Sequence, residues 1–153
     1  MQFDDLAMFK DWWLANRTIN TPKDATPVFD GALTGVVLFR QDPYQVQLFV
    51  MPPNSKIAPH IHPNVDSYEV YVNGDIEFLI GNESRSLEQR KLGDTIRIAP
   101  TEWHGGNFGK RGGCFLSIQK WLNGVPPTSV GDDWSDKDNN TKGTGSYIQT
   151  EEN

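Results

Sequence analysis

The chain has 153 residues, a net charge of −6 and 37% hydrophobic residues, a length that fits one domain with a sizeable core. It has no Lys/Arg cluster, which excludes the electrostatic footprint of a nucleic-acid binder, and no apolar run of membrane-spanning length. Acidic residues stand near the N-terminus where an export signal has basic ones, and the single cysteine, Cys114, has no internal disulfide partner, so a cytoplasmic protein is expected.

In chain order, Asp4 to Asn16 predicts a helix. Leu6, Phe9 and Trp13 fall on one stripe, Trp12 lies beside it, and Asp4 and Asp5 are placed to cap it. An apolar stripe of this size is seldom left in water. It is expected to pack on the rest of the fold or in a homodimer contact. Residues 17–27 contain Thr21-Pro22 and Thr26-Pro27 and read as a connector.

From residue 28 the pattern becomes strand-like. Gly35–Arg40 and Tyr44–Met51 are rich in β-branched and aromatic residues, with Asp42-Pro43 between them and Pro52-Pro53-Asn54 after. Tyr68–Val72, Asp75–Ile80, Thr95–Ile98 and Phe115–Trp121 follow, separated by Asn73-Gly74 and Gly81–Ser84. Asn-Gly suits a two-residue type I′ hairpin turn. Short strands without long helices between them predict an all-β sandwich or barrel. The expected domains are a helix and connector at 1–27, a β-barrel at 28–125 and an acidic tail at 126–153. The tail has six acidic residues against Lys137 and Lys142, and its composition suggests disorder, with Trp134, Tyr147 and Ile148 as candidate anchors.

The three histidines sit in two short segments. One reads Pro59-His60-Ile61-His62-Pro63, with Glu69 downstream; the other ends Ala99-Pro100-Thr101-Glu102-Trp103-His104. On a strand, residues i and i+2 share a face, so His60 and His62 aim at one cavity. A third imidazole and a carboxylate would complete a facial metal site. No Gly-rich nucleotide loop and no Gly-x-Ser-x-Gly elbow is present. Cys114 lies in an apolar run and reads as a core residue. Gln45 and Gln47 share one strand face, and Thr95 and Arg97 another. Facing inward they would fix a small substrate, with Arg97 suited to a carboxylate; facing outward they are solvated. Trp103 either walls the pocket or packs in the core.

These residues resemble the two motifs of the cupin family, Gly-x5-His-x-His-x3–4-Glu-x6-Gly and Gly-x5-Pro-x-Gly-x2-His-x3-Asn. Gly93 to His104 spans the eleven steps of the second motif, with Ala99 in the Pro slot, Thr101 in the Gly slot and Asn107 one residue early. In the first motif six residues separate His62 from Glu69, and four separate Glu69 from Gly74. Counting back from Gly74 by the family spacing lands on Ser67. Either Ser67 fills the carboxylate slot and the site is three-histidine, or a tight Asn73-Gly74 hairpin returns Glu69 to it. Glu69 is the preferred ligand of the two.

The resemblance covers roughly residues 30–122. It implies a cupin-type double-stranded β-helix, that is, a jelly-roll barrel, with a short N-terminal helix. It implies a divalent transition metal on His60, His62, Glu69 and His104. Iron comes first, with manganese, nickel, zinc and copper open. The expected function is a metal-dependent enzyme acting on a small polar molecule, a dioxygenase ahead of an isomerase or lyase. The alternative is a non-catalytic metal- or ligand-binding cupin serving as sensor, storage or accessory protein. A metal-free epimerase or isomerase with a histidine base is a third, lesser reading.

Overall fold

Asp5 starts the first element. Its Oδ1 accepts a hydrogen bond from the Met8 amide at 2.8 Å, satisfying one of the amides that a helix N-terminus leaves unpaired. Helix α1 runs Leu6–Asn16 and buries Leu6, Phe9 and Trp13, the expected stripe. The computed structural model describes residues 2–16, 27–29, 34–81, 83–86, 89, 91–124, 127–131, 135–136 and 148–150. The connector expected at 17–27 lies almost wholly outside them, as do Trp134 and Tyr147.

The strands are β1 (Pro27–Phe29), β2 (Thr34–Gln41), β3 (Tyr44–Met51), β4 (Ser55–His60), β5 (Val65–Ile80), β6 (Glu83–Ser86), β7 (Thr95–Ile98), β8 (His104–Trp121), β9 (Ser129–Val130), β10 (Ser135–Asp136) and β11 (Ile148–Thr150). The ladder runs β1-β2-β3-β8-β4-β11, and β5 pairs with β6, β7 and β8. All named strand pairs are antiparallel. This is the expected all-β jelly-roll barrel with a short N-terminal helix. No helix among the described residues is long and apolar enough to cross a membrane.

Side-chain alternation assigns the two faces of the sheet. Val46, Val70, Leu116 and Ile118 pack with Leu6, Phe9 and Trp13 of α1 on the outer face. Phe9 stacks on Tyr44 with ring centroids 4.5 Å apart. Burying a side chain of this size contributes about 1.5–3 kcal/mol. Strand residues of the opposite parity face inward. Some of these are apolar, with Met51, Tyr71, Ile76, Phe78, Ile96, Ile98, Phe108 and Phe115 in one cluster. Others are polar, namely Gln45, Gln47, Ser67, Glu69, Ser117 and Gln119, all buried.

The Asn73-Gly74 pair corrects a sequence expectation. It closes no hairpin: β5 continues through it, paired with β8 on both sides, and the register shifts between Tyr71 and Asn73 and again between Gly74 and Ile76. Gly74 has φ of 95° and faces Gly113, while Gly112 has φ of 65°. The two longest strands bend together here, so one continuous pair serves both halves of the barrel.

Two described parts of the C-terminal tail pair with the barrel, while β10 pairs with β9. Strand β11 lies against β4, with Ile148 opposite Ile57. Val130 of β9 bridges to Ile61.

Candidate metal centre

Two neighbouring strands and one strand exit bring the histidines together. His60 ends β4 and pairs directly with His104, the first residue of β8. His62 lies two residues beyond His60, just past the end of β4. The ring centroids are 4.6 Å apart for His60 and His62, 4.4 Å for His60 and His104, and 5.0 Å for His62 and His104. One ring nitrogen from each lies within 4.8 Å of the others.

The hydrogen bonds fix which nitrogens face inward. His60 Nδ1 donates to the Ala58 carbonyl at 2.7 Å, His62 Nδ1 to the Thr128 carbonyl at 2.9 Å, and His104 Nδ1 to the Glu102 carbonyl at 3.0 Å. A carbonyl oxygen only accepts, so each neutral ring carries its proton on Nδ1 and keeps its lone pair on Nε2. The Nε2 atoms of His60 and His62 face each other at 3.0 Å. Two lone pairs at that distance repel unless a positive charge lies with them.

A proton is a poor candidate for that charge. Burial, followed by His104 and His62, holds His60 well below its ordinary 6.5. Burial and His104 hold His62 down at about 3. His104 is lowered by burial as well. The rings are therefore neutral at physiological pH, the form that binds metals. Three neutral imidazoles with Nε2 converging and Nδ1 anchored are a donor set suited to a divalent transition metal.

Glu69 stands outside this group of donors. Its Oε1 accepts from Ser67 and Ser117, each at 3.3 Å. Its Oε2 is buried and has no partner among the described residues. Burial pushes the carboxyl up to about 8, against the pull of the two serine hydroxyls. The fourth-ligand role expected for Glu69 rested on a hairpin that does not form. Ser67, the alternative, serves as a hydrogen-bond donor to that same carboxyl.

A buried polar chain continues from Ser117. Gln119 Nε2 donates to Ser117 Oγ at 3.1 Å and to Gln47 Oε1 at 2.7 Å. Gln119 Oε1 accepts from Trp121 Nε1 at 3.1 Å and Gln45 Nε2 at 3.3 Å. Gln45 and Gln47 thus face inward. Arg97 does not: it is half exposed and binds Asp66 through Nε at 2.7 Å. Trp103 is partly buried, and its carbonyl accepts from the Gly81 amide. Cys114 is partly rather than fully buried, and burial pushes its thiol up.

Sequence reading missed Ser117 and Gln119, although polar residues alternating with Leu116 and Ile118 signal a lined interior. It also missed Asn64, Thr128 and Ser129, which gather around His62.

No protein-family model matches the sequence, and no curated protein matches it. Solved structures do. KdgF from Halomonas sp. is 15% identical, with a TM-score of 0.57 over 66% of this chain and 91% of its own. An RmlC-like cupin from Shewanella frigidimarina is also 15% identical, with a TM-score of 0.57 over 66% of this chain and 87% of its own. An oxalate decarboxylase variant from Bacillus subtilis is 11% identical, with a TM-score of 0.60 over 86% of this chain and 41% of its own. These likenesses identify the fold as that of the cupin superfamily.

Proposed function

We propose that this cupin-fold protein is a metal-dependent enzyme acting on a small polar molecule. The observation that carries the proposal is the convergence of the three Nε2 lone pairs, with every Nδ1 committed to a backbone carbonyl. His60, His62 and His104 would hold the metal. Three protein ligands leave coordination positions open for a substrate. When bound, the metal would polarise a substrate oxygen, acidify a water or support oxidation, according to its identity.

The chain's own residues do the rest. Gln47 and Gln45 present amides to the lumen, and Gln119 holds them in place. Glu69 keeps a proton at neutral pH because burial raises it to about 8. A neutral carboxyl in the lumen offers both a donor and an acceptor to an oxygen-bearing molecule. That polarity supports a small oxygenated substrate over an apolar one. Oxidation by dioxygen is the first reaction class we assign, with isomerisation or lyase chemistry next.

The experiment is metal analysis of protein purified without a histidine tag. Oxygen-uptake and product screening of the iron-, manganese-, nickel- and zinc-loaded forms against small hydroxy- and oxo-acids would follow. We expect turnover with at least one metal and none with His60→Ala. Tight, stoichiometric metal without turnover in any form would make this a binding protein.

A further inference from the structure

We infer that residues 127–130, which follow the barrel, clamp the ring of His62 and set the affinity of the three-imidazole site. The inference rests on the metal reading above. His60 and His104 find their Nδ1 acceptors locally, on carbonyls two residues back in the chain, Ala58 and Glu102. His62 does not. It lies past the end of β4, and its Nδ1 acceptor is the carbonyl of Thr128, 66 residues away. Ser129 Oγ lies 3.0 Å from the same nitrogen, and Ser129 is fully buried. The orientation of this one ring depends on a distant segment.

That segment is tied to the residues flanking His62. The Ile61 amide donates to the Val130 carbonyl at 2.9 Å, and the Val130 amide donates back to Ile61 at 3.0 Å. On the other side, Asn64 Oδ1 accepts from the Thr128 amide at 3.0 Å and from its hydroxyl at 3.2 Å. Asn64 is itself held, its carbonyl accepting from the Leu122 amide at 2.9 Å. Ile61, His62 and Asn64 thus each contact at least one of Thr128, Ser129 and Val130. The Thr128 carbonyl cannot move without breaking these bonds. Held there, it keeps the His62 proton on Nδ1 and aims Nε2 at the other two rings. Outer partners of metal-bound histidines act in this way, and their loss typically lowers metal affinity about 10–100-fold.

The test uses the full-length, untagged chain and Co(II), titrated against a competing chelator and followed by its visible absorption. Asn64→Ala removes the anchor of Thr128, and Ser129→Ala removes the hydroxyl beside Nδ1. Each should weaken Co(II) binding about 10-fold or more. The absorption band should also shift, because the field from His62 changes. Arg111→Ala, which removes an exposed bridge to Asp75, should leave both readings unchanged. If the parent binds tightly and His62→Ala does not, yet Asn64→Ala and Ser129→Ala bind as the parent does, the clamp is wrong and the metal site stands. If the parent itself does not bind, both fail together. Ser129→Ala decides the matter should Asn64→Ala not fold.

Discussion

Glu69→Gln should make the metal-free protein markedly more stable in alkaline solution. Burial raises the Glu69 carboxyl from its ordinary 4.5 to about 8. The folded chain therefore holds a proton that the unfolded chain releases between those values. At this group unfolding releases a proton across that window, so its contribution to stability falls as pH rises from about 4.5 to 8 and stays lost above it. A tenfold change in proton affinity is worth about 1.36 kcal/mol, so the full loss is on the order of 5 kcal/mol. Glutamine keeps the acceptor for Ser67 and Ser117 and carries no charge to bury. The three histidines titrate in both proteins, so the difference between them is the test: denaturant unfolding should show the variant's advantage over the parent widening from pH 5 to pH 9. Parallel profiles would show that Glu69 is not held neutral. The same variant addresses ligation. If it binds metal as the parent does, the centre is three-histidine. A loss as large as that of His62→Ala would restore the carboxylate to the ligand set.

Gly74→Ala should be among the most damaging single substitutions in the barrel. A Cβ at Gly74 would lie 2.3 Å from the Gly112 carbonyl oxygen and 2.4 Å from Gly113 Cα. Both are backbone atoms of the partner strand, so no side-chain rotation relieves the overlap. The positive φ of 95° adds conformational strain. Together these should cost on the order of 3–5 kcal/mol. Gly81→Ala is the matched control. It also has positive φ, 59°, but a Cβ there meets nothing within 4 Å, so its cost should be about 1–2 kcal/mol. Equilibrium unfolding of both variants checks this. Equal costs would mean the corner yields, contrary to a tightly shared bend of β5 and β8.

Particular residues explain what the sequence revealed and what it hid. Leu6, Phe9 and Trp13 named the buried face of α1 because helical periodicity is local. Tyr44–Met51 was legible as β3 for the same reason, since alternation and the flanking prolines lie within or beside the strand. Strand parity pointed His60 and His62 at one cavity, but His62 lies just past β4 and Thr128 orients its ring there; His104 joined them through the family resemblance. Asn73-Gly74 was misread because a type I′ turn and a bend within a paired strand ask for the same residues. What separates them is Gly113, some 40 positions on, which local chemistry does not reveal. The hairpin carried Glu69 into the ligand set, so that expectation lost its support with the turn. Thr128 was invisible for a different reason: it contributes a backbone carbonyl, which every residue has. Arg97 had two faces open to it, and Asp66 on the neighbouring strand decided for the outer one.

The central claim is that His60, His62 and His104 hold one divalent metal through Nε2. Equilibrium titration of the untagged, metal-stripped chain with Co(II) tests it most directly, alongside His60→Ala, His62→Ala and His104→Ala. One ion per chain is expected. Each variant should lose more than the about 10–100-fold typical of outer partners. Binding below one ion per chain, or histidine variants that bind as the parent does, would contradict it.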